Sequence, residues 1–332
     1  MEKINVGIVG ATGMVGRNFL RIMEERNFPV KNLYLFASSK SNGKKIVFKK
    51  EEYKVEELTE NSFDKPIDLL LFSAGGNISK KFAPIAKKKG ITVVDNSSAW
   101  RMDREVPLVV PEVNPQDIEW HNGIIANPNC STIQSVVPLK PLHEAFKIKR
   151  VIFSTYQAVS GSGVAGMEDL DNGLKYLDPK NYPHPIAFNC LPHIDEFTDN
   201  GYTKEEIKMI EETKKILNDQ NIRITSTTVR VPVYFGHCVS ANIEFENNFE
   251  LENVYDILRN YKGIVVFDDI QKNNYPMPIN VKGKDEVYVG RIRRDFSVKN
   301  GINIWIVADN TRKGAATNTI QIAELLINKN KI

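Results

Sequence analysis

The stretch Asn127-Pro128-Asn129-Cys130-Ser131-Thr132 sets a thiol where an extended, proline-containing segment turns into a mostly apolar helical pattern of Ile133, Val136, Val137 and Leu139 to Leu142. A sulfur at that junction meets the unpaired amides of a helix N-terminus. Their partial positive charge favours thiolate over thiol, and they can donate to an oxyanion on a carbon bonded to the sulfur. Free cysteines are more often buried filler, so the nucleophile reading requires a partner that handles protons. Of the five histidines, His121 falls in a polar turn, His143 on the helix after Cys130, His184 between prolines and His193 in "LPHIDEF". Each of these reads as a surface or packing residue. His237 differs: it closes the strand pattern "RITSTTVRVPVYFGH" directly after Gly236, with Arg230 seven positions earlier. Odd spacing puts the two on opposite faces of an ideal strand, so both serve one site only if Pro232 or Gly236 breaks the alternation. Cys238 points away from His237 on a regular strand and reads as core.

A second chemical feature opens the chain. Ile4, Val6, Ile8 and Val9 read as a buried strand, and "GATGMVG" follows, with Gly10, Gly13 and Gly16 around Thr12, Met14 and Val15. Val15, Phe19, Leu20, Ile22 and Met23 then supply an amphipathic helix. Strand, glycine turn and helix N-terminus in that order predict a dinucleotide site, its pyrophosphate resting on the helix amides. The next strand, Asn32 to Ser38, should end at the adenine ribose, where an NAD site presents an acid. None occurs between Asn27 and Lys50; Ser38, Ser39, Lys40, Ser41 and Lys44 stand there instead, which suits a 2′-phosphate and favours NADP. Ser73, Ala74 and Gly75 end a further strand pattern, at the edge where open α/β sheets bind ligands.

These groups require a scaffold, and 332 residues with 42% apolar content suffice for about two domains. Strand, helix, strand through "IDLLLFSAGG" and "ITVVDNSS" predicts a parallel sheet over residues 1–127, completed by a C-terminal helix within 313–332. Residues 128–312 hold many strands and few helices, the pattern of a largely antiparallel sheet with a broad dimerisation face. A charge of +3 from 44 basic and 41 acidic residues, well mixed, speaks against nucleic acid or an anionic membrane as partner. Three cysteines without metal spacing argue against both a disulfide framework and a metal site. "MEKIN" runs straight into a strand, and no apolar run reaches the ~18 residues of a membrane span, so the expected compartment is the cytoplasm.

"GATGMVG", "SSAWR", "NPNCSTIQ", "TYQAVSGSG", "RVPVYFGHC" and "ADNTRKGAATN", in this order over nearly the whole chain, resemble the aspartate-β-semialdehyde dehydrogenase family. The resemblance implies a Rossmann-type NADP-binding domain and an α+β catalytic and dimerisation domain, arranged as in glyceraldehyde-3-phosphate dehydrogenase. It implies NADPH-dependent reduction of L-aspartyl-4-phosphate to aspartate semialdehyde, with release of phosphate, on the route to lysine, threonine, methionine and isoleucine. By resemblance Cys130 is the nucleophile, His237 the general acid/base, and Gln157 orients the acyl group. Arg230 clamps the substrate carboxylate, Glu205 meets its ammonium, Arg101 and Lys208 take the phosphate, and Asn129 lies against the substrate. Ser160, Gly161, Gly163 and Asn310 match positions near the nicotinamide. Two departures stand out: Lys40 where the family often has arginine, and Cys238 where a serine commonly follows the histidine. The related N-acetyl-γ-glutamyl-phosphate reductases act on an acylated nitrogen that carries no charge, and Glu205 argues against that substrate. A non-catalytic NADP sensor is the alternative from another class, and it predicts an unreactive Cys130.

Overall fold

The computed structural model describes residues 2–332. The chain divides into two compact units, Met1–Pro128 with Ala315–Ile332, and Asn129–Gly314.

The first unit is built on strands β1 (Ile4–Val9), β2 (Val30–Ala37), β3 (Lys45–Phe48), β4 (Glu51–Glu57), β5 (Leu69–Phe72), β6 (Thr92–Asp95) and β7 (Ile124–Ala126). They lie in the order β3-β4-β2-β1-β5-β6-β7. All neighbours are parallel except the β3/β4 hairpin, an edge addition that the sequence pattern did not signal. Helix α1 (Met14–Glu25) follows β1, and α2 (Gly76–Lys88) follows β5. The chain runs outward from β1 through β2 and β4, then crosses to β5 on the other flank of β1. This reversal makes β1/β5 the switch point at which such sheets take ligands. Phe19, Leu20, Ile22 and Met23 of α1 are buried in one core with Ile320, Ile322, Ala323 and Leu326 of the C-terminal helix Thr317–Asn328. Each of these side chains larger than alanine contributes about 1.5–3 kcal/mol by burial. The C-terminal segment opens with a π-helical turn over Arg312–Ala316 before the regular helix.

The second unit contains α3 (Cys130–Phe146), β8 (Ile148–Gln157), α4 (Gly163–Gly173), α5 (Lys204–Leu217), β9 (Arg223–Arg230), β10 (His237–Phe245), α6 (Leu251–Arg259), β11 (Ile264–Val266), α7 (Pro278–Val281), β12 (Val287–Asp295) and β13 (Gly301–Ala308). Its sheet runs β11-β12-β13-β10-β8-β9. The inner pairs are antiparallel, but β8/β9 and β11/β12 at the two edges are parallel, so the sheet is mixed. The long pattern from Arg223 to His237 is not one strand. Strand β9 stops at Arg230 and β10 begins at His237; Pro232 lacks a ladder donor and Gly236 turns at φ 91°. An added Cβ at Gly236 would come within 2.9 Å of Pro278 Cα, which ties that turn to α7. The break releases Arg230 and His237 from strand alternation.

Candidate active site

Cys130 is the first residue of α3, as the sequence pattern predicts, and Asn129 caps the helix. Asn129 Oδ1 accepts from the amides of Ser131 (3.0 Å) and Thr132 (3.2 Å), its Nδ2 donates to Glu205 Oε1 (2.9 Å), and its backbone N–H donates to Glu212 Oε2 (2.7 Å). The cap therefore consumes the Ser131 and Thr132 amides, two of the donors at this helix N-terminus. It also commits the Asn129 carboxamide to holding Cys130 in place. Glu205 and Glu212 lie two turns apart on α5, both buried, and brace this one residue. Glu212 escaped the sequence reading because a buried carboxylate bonded to a peptide leaves no local pattern. One turn after Cys130, Gln134 Nε2 donates to His237 O at 3.0 Å, linking the thiol's helix to β10.

His237 is fully buried. The Ala158 N–H donates to its Nδ1 at 3.0 Å, and Arg230 Nη1 donates to the Ala158 carbonyl at 2.8 Å. Burial, with the Arg230 charge added to it, holds the imidazole pKa well below its ordinary value, so the ring is neutral. With the Nδ1 lone pair occupied, the proton of the neutral ring is on Nε2, which faces the site as a donor. Arg230 Nε and His237 Nε2 are buried and without a protein hydrogen-bond partner among the described residues. Both side chains lie against Gly161, where an added Cβ would meet Arg230 Nη1 at 2.8 Å and His237 Nε2 at 3.3 Å. Cys238 faces the other way, packed with Val281 and Val307, and burial pushes its thiol up to about 12. It is core, as its alternation with His237 predicts.

Gln157 ends β8 fully buried and donates from Nε2 to Glu205 Oε1 at 3.2 Å and to Thr155 Oγ1 at 3.3 Å. Lys208 reaches Glu205 Oε2 at 3.3 Å and Asp195 Oδ2 at 2.5 Å. Cys130's cap, Gln157 and Lys208 thus converge on Glu205. Asn310 accepts from the Gly236 amide at 3.0 Å and donates to Ser160 Oγ at 3.0 Å, which fixes the turn before His237. Gly163 heads α4 at φ 70°, with open space where its Cβ would be.

In the first unit, Gly10 adopts φ 82°, and an added Cβ would lie 2.1 Å from Ser73 O; one on Gly16 would lie 2.3 Å from Gly10 O. Only glycine permits these approaches of backbone to backbone. Helices α1 and α2 start at Gly13 and Gly75, on adjacent strands, with no side-chain cap and no acid in the first turn. Uncapped amides without carboxylates suit an anion. Ser38, Ser39 and Lys40 follow β2 and are exposed, and Thr12 Oγ1 lies 3.4 Å from Ser41 Oγ, joining that loop to the glycine turn. The residues present fit a phosphorylated dinucleotide. Arg101 is buried, with Nε on Asn127 O at 3.0 Å and Nη2 on Asn96 O at 2.8 Å.

A parallel sheet with bare, glycine-started helices at its switch point, followed by a unit with a cysteine at a helix N-terminus and a buried histidine and arginine, is the architecture of a nucleotide-dependent oxidoreductase. Residues 5–121 match the model for the semialdehyde dehydrogenase NAD binding domain, and residues 139–313 match that for the semialdehyde dehydrogenase dimerisation domain. The chain belongs to the semialdehyde dehydrogenase family. It is 56% identical to an aspartate-semialdehyde dehydrogenase of Aquifex aeolicus, over 98% of this chain and 99% of that protein. The crystal structure of aspartate semialdehyde dehydrogenase II from Vibrio cholerae, complexed with ASA, superposes with a TM-score of 0.94 at 46% identity, covering 99% of each chain. A Candida albicans aspartate semialdehyde dehydrogenase structure with NADP matches at a TM-score of 0.81 and 28% identity, over all of both chains. No helix among the described residues is long and apolar enough to cross a membrane.

Proposed function

We propose that this protein is an aspartate-semialdehyde dehydrogenase. It reduces L-aspartyl-4-phosphate to L-aspartate 4-semialdehyde with NADPH, as a cytoplasmic homodimer supplying the synthesis of lysine, threonine, methionine and isoleucine. The observation that carries the reading is that Arg230 and His237, whose side chains both lie against Gly161, each keep a buried N–H without a protein partner, Nε and Nε2. Burying an N–H without a partner costs about 1–3 kcal/mol, which a substrate carboxylate and a developing oxyanion would offset. The relatives' names and the structures with ASA and with NADP support the same substrate and cofactor.

Gly10, Thr12, Gly13, Met14, Val15 and Gly16 hold the pyrophosphate, Ser38, Ser39 and Lys40 the 2′-phosphate, and Ser73, Ala74 and Gly75 the same strand edge. Ser160, Gly161, Gly163 and Asn310 belong to the nicotinamide end. Arg230 clamps the α-carboxylate and Glu205 pairs the ammonium. The Cys130 thiolate attacks the acyl carbon while His237 Nε2 donates to the carbonyl oxygen as it gains charge and Gln157 fixes the acyl group. The carbon–oxygen bond to phosphate breaks, the phosphate departs against Arg101 and Lys208, and a thioester remains on Cys130. When bound, the nicotinamide supplies a hydride to the thioester carbon. His237 again donates to the oxygen, and collapse releases the aldehyde and restores the thiolate. The one proton consumed overall ends on the departing phosphate.

Incubating the protein with aspartate semialdehyde and NADP in the absence of phosphate should accumulate the thioester. Peptide mass spectrometry is expected to find the aspartyl group on Cys130, released by added phosphate; an unmodified Cys130 under turnover conditions contradicts the covalent route.

A further inference from the structure

Two backbone carbonyls, those of Asn127 and Asn96, hold the Arg101 guanidinium, and both belong to residues just past the C-terminal ends of β7 and β6. The side chains of these same two residues are not idle. Asn127 Nδ2 donates to Asn96 Oδ1 at 2.8 Å, and Asn127 Oδ1 accepts from Asn318 Nδ2 at 2.7 Å. Asn96 Nδ2 donates to Thr319 Oγ1 at 2.9 Å, and Thr319 in turn donates to Ala315 O at 3.0 Å. Asn318 Nδ2 also donates to Val109 O at 3.0 Å. The circuit starts at Asn318 and ends at Thr319, two consecutive, fully buried residues of the C-terminal helix. Asn127 and Asn96 each turn the oxygen toward the preceding donor and the nitrogen toward the next acceptor. Neither an ionised carboxylate, which only accepts, nor an aliphatic group can replace one of these carboxamides and keep both bonds.

A guanidinium is a planar fork, and its usefulness for an oxyanion depends on where that plane is held. Bonds from Nε and Nη2 to two carbonyls set the plane of Arg101, and the amide circuit sets the carbonyls. We infer that Asn318 and Thr319 of the C-terminal helix, through Asn127 and Asn96, are positioning residues for Arg101 and thereby tune the enzyme's affinity for phosphate. This inference rests on the assignment of Arg101 to the phosphate made above. Residues at the far end of the chain thus govern a substrate contact made by a loop more than two hundred positions earlier.

The test is the KM for inorganic phosphate in NADP reduction with aspartate semialdehyde, measured for Asn318→Asp, Thr319→Val and Arg101→Lys. Asn318→Asp keeps the shape but loses the Nδ2 donor at the start of the circuit. Thr319→Val removes the acceptor at its end, so one variant serves if the other fails to fold. The expected result is a roughly tenfold rise in phosphate KM in both circuit variants, a larger rise in Arg101→Lys, and an unchanged KM for the semialdehyde. A rise in phosphate KM for Arg101→Lys alone, with both circuit variants like the parent, overturns the relay and leaves the arginine's role standing. Unchanged phosphate KM in all three overturns the assignment of Arg101 and the relay with it. A uniform fall in kcat with every KM unchanged overturns the positioning role in favour of general structural damage.

Discussion

Ala158 donates its N–H to His237 Nδ1 at 3.0 Å and accepts from Arg230 Nη1 at 2.8 Å through its carbonyl. One residue just past the end of β8 thus sets the tautomer of the histidine and the position of the arginine. Its consequence is chemical: a neutral ring with Nδ1 occupied can donate from Nε2 but cannot take a proton there. In the proposed mechanism His237 would therefore act from Nε2 as a hydrogen-bond donor to the oxyanion.

The pH dependence follows. His237 remains neutral well below its ordinary value of 6.5, so kcat should show no ionisation near 6.5 that disappears in His237→Gln. The variant should lose about 100-fold to 1,000-fold in kcat at every pH, the usual size of a lost oxyanion donor. Rate profiles of both proteins from pH 5 to 8 provide the check; a limb near 6.5 present only in the parent contradicts the donor role.

The same buried ring affects stability with a definite sign. Below 6.5 the unfolded chain binds a proton that the folded ring refuses, so stability falls as pH drops from 6.5 toward the depressed native value. His237→Gln should flatten this part of the curve, as followed by thermal unfolding midpoints between pH 4 and 7.

Gly161→Ala introduces a methyl 2.8 Å from Arg230 Nη1 and 3.3 Å from His237. Either side chain must shift, and a displacement near 1 Å at a reacting centre costs roughly a hundredfold in rate. We expect that loss in kcat/KM with a far-ultraviolet circular dichroism spectrum like the parent's.

Lys40 is exposed in the loop after β2, which contains no acid. Lys40→Glu should lower kcat/KM for NADP about tenfold, the size of losing and reversing one exposed contact, while that for NAD changes little. Parallel kinetics with the two cofactors measure the ratio.

The local parts of this design are legible in the chain. Gly10, Gly13 and Gly16 announce their turn because backbone clashes exclude other residues, and Cys130 announces a helix start because Asn129 precedes it. Pro232 and Gly236 likewise mark the break that frees His237 from the alternation of Arg230. What escapes is set by register and by partners far away in sequence. The β3/β4 hairpin pairs residues whose alternation is obscured by lysines and glutamates, as in Lys45 opposite Lys54 and Phe48 opposite Glu51. Glu212 reaches Asn129 across 83 positions and Gln134 reaches His237 across 103, and neither carries a motif. The tautomer of His237 depends on one peptide N–H, which no side-chain pattern encodes.

The most direct test of the account is phosphate-dependent NADP reduction by the purified protein, with aspartate semialdehyde and N-acetylglutamate semialdehyde offered separately and Cys130→Ala in parallel. The proposed function predicts activity with aspartate semialdehyde alone, abolished in Cys130→Ala while NADPH binding persists. Turnover with the acetylated substrate only, or a Cys130→Ala protein retaining more than about a hundredth of the parent rate, would contradict it.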